Sequence, residues 1–190
     1  MNKGDREMFY LVSGGAASGK SAFAEDLAVR LGGERVYLAT MQPWDAECEQ
    51  RILRHRRLRS GKGFRTVECY EDLRQADIPD GGTVLVECLS NLAANCLFQN
   101  GRMQDPQTVY RQILCGVEYL LQKAGHLVVV TNELLSDGGG YDEGTQQYLI
   151  LLGKLNRTLA ARADGVAELV FGLPVFHKGG DFFETVGAVV

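Results

Sequence analysis

The stretch 8-MFYLVSGGAASGKSAFAEDLA-28 begins with apolar residues, passes through a run of small residues and continues with a helical pattern. Gly14, Gly19, Lys20 and Ser21 have the spacing G-x-x-x-x-G-K-S of a phosphate-binding loop, and they stand between a predicted strand and a predicted helix. Small residues allow backbone N–H groups to turn towards phosphate oxygens, and the helix adds the positive end of its dipole. The stretch therefore predicts a site for a nucleoside triphosphate.

The polar residues of the loop predict how that triphosphate is bound. Lys20 is expected to reach the β- and γ-phosphates, and Ser21 to bind Mg²⁺ through its hydroxyl. Glu87 ends the apolar run 83-TVLVEC-88 and is a candidate second ligand of Mg²⁺, because ligands of open α/β sheets bind at the carboxyl ends of strands. An ordinary strand-end carboxylate would give the same pattern. The predicted nucleotide-binding loop consists of Gly14, Gly15, Ala16, Ala17, Ser18, Gly19, Lys20 and Ser21.

The composition of the 190-residue chain, with 45% hydrophobic and 23% charged residues, predicts one globular domain over residues 1–190. The net charge of −4 lacks the strong positive field of nucleic-acid-binding proteins. None of the five cysteines forms a C-x-x-C pair, which favours reduced thiols over a disulfide framework or a zinc site. No stretch approaches the roughly 18 apolar residues of a membrane span, and we expect a soluble cytoplasmic protein.

Short apolar strands alternate with longer helical patterns along the chain. This alternation is typical of a mostly parallel α/β sheet with helices on both faces. The predicted strands are 8–14, 35–40, 65–70, 83–88, 127–132 and 166–172. The predicted helices are 19–31, 45–59, 89–100, 106–124 and 144–163. A glycine-rich loop is predicted at 137–145, and the tail 178–190 gives no pattern from which its structure can be predicted.

The segment 45-DAECEQRILRHRRLRS-60 opens with three carboxylates and ends with five arginines, a polarity that complements the helix dipole. At helical spacing Arg51, His55 and Arg59 share one face. Neighbouring arginines favour the neutral imidazole that a nucleophile requires, and they can also bind phosphate oxygens. Judged from these residues alone, a solvated charged helix with an inert histidine is the more common use of such a pattern.

Seven segments between residues 8 and 176 extend the pattern. In order, they read GGAASGKSAFAEDLA, YLAT, RILRHRRLR, FRTVE, VLVECLSNLAAN, VVVTNE and LLGKLNRTLAARADGVAELVFGLPV. Together they resemble the bifunctional adenosylcobinamide kinase/adenosylcobinamide-phosphate guanylyltransferase family of cobalamin assembly. The resemblance implies a RecA-like P-loop NTPase fold and two reactions. The first phosphorylates the aminopropanol arm of adenosylcobinamide, and the second transfers GMP from GTP onto that phosphate to give adenosylcobinamide-GDP.

The resemblance also implies roles for individual residues. In the family the GMP passes through a histidine, which corresponds to His55, with Lys20 as the second catalytic residue. The implied co-substrate is GTP, or ATP for the kinase step, with Mg²⁺ as cofactor, and the implied partners are the corrinoid substrate and further copies of the chain in a homo-oligomer such as a trimer. Beyond the phosphate loop, the implied nucleotide-binding residues are Ala39, Thr40, Met41, Arg56, Arg57, Leu58, Arg59, Glu68 and Glu87.

Two of the departures from the family pattern bear on the function. Ala17 stands where the family usually has an arginine, and 134-LLSDGGGYDEGTQQYL-149 replaces a stretch of the type V-G-x-G-I-V-P. These departures leave two other functions open, namely a P-loop kinase that transfers only a γ-phosphoryl group and a GTP-binding paralogue without turnover. Neutral drift of the loop is equally compatible with the sequence, because loops vary more than the elements they connect.

Overall fold

The computed structural model describes residues 7–43, 46–133 and 140–187. The strands are β1 (Met8–Gly14), β2 (Arg35–Ala39), β3 (Phe64–Glu68), β4 (Thr83–Glu87), β5 (Phe98–Gln99), β6 (Arg102–Met103), β7 (His126–Val130), β8 (Gly165–Val170) and β9 (Leu173–Lys178). The helices are α1 (Lys20–Leu31), α2 (Ala46–Arg59), α3 (Leu89–Leu97), α4 (Pro106–Lys123), α5 (Glu143–Arg162) and α6 (Gly180–Thr185), with a 3-10 turn at Leu73–Gln75.

The main sheet has seven strands in the order β3-β2-β4-β7-β1-β8-β9, and β5 and β6 form a separate hairpin. Six strands of the main sheet are parallel, and β9 joins its edge antiparallel to β8. Side chains alternate between two apolar cores. Phe9 and Leu11 of β1 enter a core with α3, α4 and α5, whereas Tyr10 and Val12 enter a second core with α1 and α6. Helices on both faces explain the nearly continuous apolar strands.

The predicted mostly parallel sheet is confirmed, and the six predicted strands and five predicted helices are present with ends that differ by up to three residues. The predicted helix 89–100 is too long, because Phe98 and Gln99 enter the β5–β6 hairpin. The predicted loop 137–145 extends too far at its carboxyl-terminal end, because residues 143–145 belong to α5. Asp142 caps α5 by accepting a hydrogen bond from the Thr145 N–H at 3.0 Å, so the helix begins at Glu143. Residues 134–139 of that segment lie outside the described residues.

The tail 178–190, for which the sequence predicted no structure, contributes to the second core. Its helix α6 buries Phe183 completely, with the ring stacked 4.7 Å from that of Phe176 and tilted at 5.2 Å from that of Tyr10. Gly165 lies beneath these rings, where a Cβ atom would come within 2.8 Å of both Phe183 and Tyr10. The tail is therefore packed onto β8 by one aromatic anchor. Among the described helices, none has the length and apolarity needed to cross a bilayer.

We expect Phe183→Ala to lower the free energy of unfolding by about 3–5 kcal/mol, because it removes a fully buried ring and leaves a cavity against Tyr10 and Phe176. Chemical denaturation monitored by circular dichroism measures the change. Phe171→Ala is the matched control, since that ring is 97% exposed and its loss should change stability by less than about 0.5 kcal/mol. Equal effects of the two substitutions would contradict the packing described.

Candidate functional site

The loop between β1 and α1 is closed tightly by its glycines. Gly14 has φ +152°, and a Cβ there would lie 2.5 Å from Ser18 Oγ and 2.8 Å from the Leu169 carbonyl oxygen. Gly19 adopts the left-handed region with φ +92° and is the N-cap residue of α1. The Lys20 ammonium folds back and donates to the Gly15 carbonyl at 2.8 Å. The loop is thus curled around the ammonium of its own lysine.

A carboxylate from β4 meets the start of α1. Ser21 Oγ donates to Glu87 Oε1 at 2.6 Å, while Glu87 Oε2 is buried without a hydrogen-bond partner among the described residues. Burial raises the pKa of Glu87 to about 7, although the Ser21 hydrogen bond and the Lys20 charge act in the opposite direction. Burial also lowers the pKa of Lys20, opposed by the charge of Glu87. The orphaned oxygen and the adjacent hydroxyl are hard oxygen donors that fit Mg²⁺ alongside phosphate oxygens.

The carboxyl-terminal end of α2 is attached to the sheet face that carries α1. The Arg59 guanidinium lies 3.4 Å from the centre of the Tyr37 ring, and only 6% of Arg59 is exposed. Lys62, just beyond the helix, donates to Glu25 Oε2 at 2.9 Å and to Asp26 Oδ1 at 2.8 Å on α1. A cation–π contact and a pair of ionic contacts therefore fix the end of α2 beside the phosphate-loop helix.

A cavity of about 360 Å³ opens between the end of α2 and strand β3. At its rim, Arg56 donates to Glu68 Oε1 at 2.6 Å, and the Tyr70 hydroxyl donates to Glu68 Oε2 at 2.7 Å. His55 is half-buried one residue before Arg56. The cavity is lined by Arg56, Arg59, Ser60, Gly61, Gly63, Phe64 and Thr66.

Most of the predicted nucleotide-binding residues lie at one edge of the sheet. Ala39, Glu68 and Glu87 end three parallel strands and are in register with one another. Thr40 is fully buried, and its hydroxyl donates to the Cys88 carbonyl at 2.8 Å and accepts from the Cys88 N–H at 2.7 Å. Met41 is half-buried and Arg57 exposed, and the side chains of Arg51 and Leu58 lie outside the described ones.

A polar network that the sequence reasoning missed lies beside the phosphate loop at the end of β7. Asn132 Nδ2 donates to Ser90 Oγ at 2.6 Å, and Asn156 Nδ2 donates to the Asn132 carbonyl at 3.3 Å. The Glu133 N–H donates to the Gly14 carbonyl at 3.2 Å, which ties this network to the loop. The signal available in the sequence was the change from apolar to polar residues in 127-LVVVTNE-133.

Across the edge, the molecule offers three chemically distinct groups. The loop supplies backbone donors and an ammonium for phosphates, the Ser21–Glu87 pair supplies oxygen ligands, and the end of α2 supplies an imidazole among arginines. Strands β1 and β3 are separated by four inter-strand steps of about 4.8 Å each, or roughly 19 Å. This span suits an extended nucleoside triphosphate, with phosphates at one end and the base at the other.

Comparison with solved structures supports the fold. The chain aligns with a structure titled as a prototypical ATPase from the type III secretion system of pathogenic bacteria, with a TM-score of 0.50, 10% identity and coverage of 97% of this chain and 59% of that one. At this identity the likeness concerns the fold alone. It confirms the predicted RecA-like P-loop fold.

Sequence comparison is more specific. The profile of the CobU family, described as cobinamide kinase / cobinamide phosphate guanyltransferase, matches residues 10–176. The chain is 33% identical over 183 residues to the bifunctional adenosylcobalamin biosynthesis protein CobU of Escherichia coli (strain K12), covering 90% of this chain and 100% of that protein. It is 33% identical over 172 residues to the corresponding protein CobP of Pseudomonas aeruginosa, covering 89% and 96%. With the family profile matched over most of the chain and these relatives matched over nearly their whole length, the chain is an enzyme of the cobinamide kinase / cobinamide phosphate guanyltransferase family.

Proposed function

We propose that this chain phosphorylates adenosylcobinamide and then transfers GMP from GTP onto adenosylcobinamide phosphate through a GMP–histidine intermediate at His55. The observation that carries the proposal is that the sheet brings a complete phosphate loop and the arginine-rich end of α2 to one side of the molecule, joined by Lys62. A kinase that only moves a γ-phosphoryl group needs the loop but has no use for an imidazole among arginines.

The phosphate loop holds the polyphosphate in both reactions. Backbone N–H groups of residues 15–19 and the amino terminus of α1 attract phosphate oxygens. The Lys20 ammonium donates a hydrogen bond to the Gly15 carbonyl at 2.8 Å. Rotation about the last side-chain bonds of Lys20 would bring the ammonium to a phosphate oxygen. Because Lys20 is 9% exposed, water screens its charge little and the attraction to phosphate is strong.

Ser21 and Glu87 are the residues that would hold Mg²⁺. Their hydroxyl and carboxylate oxygens fit the ion, and the unpartnered Oε2 atom offers a free acceptor. When bound, Mg²⁺ neutralises charge on the phosphates during phosphoryl or nucleotidyl transfer. Glu87 must be ionised for this role, and its raised pKa makes ionisation sensitive to pH near neutrality.

For the transfer, the unprotonated imidazole nitrogen of His55 attacks the α-phosphorus of GTP. The N–P bond forms as the bond to the β-phosphate oxygen breaks, and pyrophosphate leaves. A phosphate oxygen of adenosylcobinamide phosphate then attacks the same phosphorus, the N–P bond breaks and His55 is regenerated. Two displacements replace one difficult step, as in covalent catalysis generally. Arg56, next to His55 in α2, and Arg59, one turn further along the helix, are the cations that would neutralise charge on the phosphate.

Glu68 is the carboxylate that we assign to guanine, at the rim of the cavity beside α2. A carboxylate accepts hydrogen bonds from the N1 and N2 donors of guanine, a pair that adenine lacks. Burial and the hydrogen bond to Glu68 raise the pKa of Tyr70 to about 12, so Tyr70 remains a donor that keeps one oxygen of Glu68 in place at neutral pH. Guanine would compete with Arg56 for the other oxygen.

We expect incubation with Mg²⁺ and GTP labelled at the α-phosphate, without corrinoid, to leave label on the wild-type protein and none on His55→Ala. The bound label should resist alkali and be lost in acid, as a phosphorus–nitrogen bond at histidine is. His177→Ala is the matched control and should be labelled like the wild type, because that histidine pairs with Glu168 on β8. Label on His55→Ala would place the intermediate elsewhere.

Single substitutions should distinguish the kinase reaction from the guanylyl transfer. We expect His55→Ala to keep phosphorylation of adenosylcobinamide and to lose formation of adenosylcobinamide-GDP, measured by chromatography of the corrinoid products. Lys20→Ala should slow both steps by about 10²–10³-fold, since it removes a charge aimed at the phosphates in each. Equal loss of both activities in His55→Ala would contradict the assignment of His55 to the second step alone.

A pH dependence of stability follows from Glu87. Its pKa is about 7 in the folded chain against an ordinary value of 4.5, so between these values the folded state holds a proton that the unfolded state has released. The free energy of unfolding of the wild type should therefore fall as pH rises from about 4.5 to 7. We expect Glu87→Gln to lack this fall, which corresponds to a relative gain on the order of 3 kcal/mol by pH 8.

Denaturant titrations of the metal-free proteins between pH 4 and pH 8 measure this difference. Glu87 keeps some exposed surface, but its Oε2 atom is fully buried. We therefore attribute the fall in the free energy of unfolding to Glu87 and not to surface carboxylates. Glu71→Gln, at an exposed position, is the control and should follow the wild-type curve. Parallel curves for the wild type and Glu87→Gln would contradict the raised pKa.

A further inference from the structure

The turn between β8 and β9 exposes an aromatic ring that the fold does not use. Phe171 is 97% exposed and has φ +50°, a left-handed conformation that is unfavourable for a residue with a bulky side chain. Its neighbours Val170 and Leu173 are also exposed, at 39% and 62%. A glycine at this position would fit the backbone better, so the ring adds unfavourable exposure and strain without contributing to either core.

The turn is attached to the phosphate loop. The Gly172 N–H donates to the Ser18 carbonyl at 3.0 Å, and Gly172 Cα lies 3.4 Å from the position that a Cβ on Gly19 would occupy. Phe171 is therefore the residue directly before Gly172, which is bonded to the phosphate loop. In the strand order, it stands on the β8 side of β1, opposite to Glu87, Glu68 and α2.

We propose that Phe171 is a stacking surface for the purine base of the nucleotide that donates the γ-phosphoryl group. This inference rests on the proposed function, because it concerns the kinase step. With its base on the β8 side, a triphosphate crosses the loop and carries its γ-phosphate towards β7 and β4, where Glu87 and Asn132 lie. The single loop then serves two reactions by holding nucleotides that run in opposite directions.

The guanylyl step requires the reverse direction. There the α-phosphorus must reach His55 on α2, so the base lies towards β3 and Glu68, and the β- and γ-phosphates lie on the loop. A phenyl ring recognises the π-face of a base, which all purines share, whereas the Glu68 carboxylate recognises hydrogen-bond donors that guanine has and adenine lacks. These two kinds of recognition would account for the co-substrates that the family resemblance implies, GTP or ATP in the kinase step and GTP in the guanylyl step.

The test compares a probe that has a base with one that has none. Calorimetric titration with Mg²⁺ and adenosine 5′-(β,γ-imido)triphosphate, and separately with Mg²⁺ and inorganic tripolyphosphate, is carried out on the full chain. We expect Phe171→Ala to bind the imido-nucleotide about tenfold more weakly and tripolyphosphate as the wild type does. Phe171→Trp should keep the affinity for the nucleotide. Ile150→Ala, at a 64% exposed apolar residue on α5, should change neither affinity.

Three results would overturn the inference. Equal weakening of both probes in Phe171→Ala would mean that the loop itself is distorted through Gly172, and unchanged affinity for both would mean that no base stacks there. A lower molecular mass of Phe171→Ala in light scattering would identify the turn as a contact between copies of the chain. Failure of the proposed function is seen separately, as a wild-type protein that binds the imido-nucleotide but carries no GMP label on His55.

Discussion

The parallel backbone ladders of the sheet determine where the functional groups at the carboxyl ends of its strands lie. Ala39 is in register with both Glu68 and Glu87, and Glu87 is in register with Val130, directly before the polar residues that follow β7. A shift of β4 by one residue would turn Glu87 to the opposite face, away from Ser21. The apolar residues that bury both faces prevent that shift, so the two cores maintain the geometry of the edge.

At that edge, the buried carboxylate of Glu87 lowers the stability of the fold and provides a ligand for a cation. An ionised carboxylate with a buried, unpartnered oxygen is unfavourable, and a hydroxyl and a partly desolvated ammonium do not compensate it fully, which is why the pKa of Glu87 rises to about 7. The same deficiency makes the site receptive to a divalent cation, because the cation supplies the missing positive charge. The Asn132–Ser90–Asn156 network beside it is made of neutral groups that satisfy one another, and it can hold the end of β7 without such a cost.

The elements that the sequence predicted well were those with local signals. Continuous apolar runs located the central strands, and the spacing of Gly14, Gly19 and Lys20 identified the loop. The sequence did not indicate which distant element a long side chain contacts. Arg59 belongs to a helix with the composition of a solvated surface, yet it is buried on Tyr37, and nothing in the spacing of either residue indicates that pairing. The contacts of Lys62 and Thr40 have no sequence signal for the same reason, since their partners lie on other elements.

The attachment of α2 also has a mechanical meaning. The Arg59–Tyr37 stack and the Lys62 contacts to α1 act as a fulcrum at one end of the helix, and His55 lies four residues, or about 6 Å, along the lever arm. A tilt of about 10° about this fulcrum displaces the backbone at His55 by roughly 1 Å, a distance that can change the rate of a group transfer about a hundredfold. Because Lys62 is tied to the helix that begins at the phosphate loop, the angle of this arm is set from the same helix that receives the phosphates.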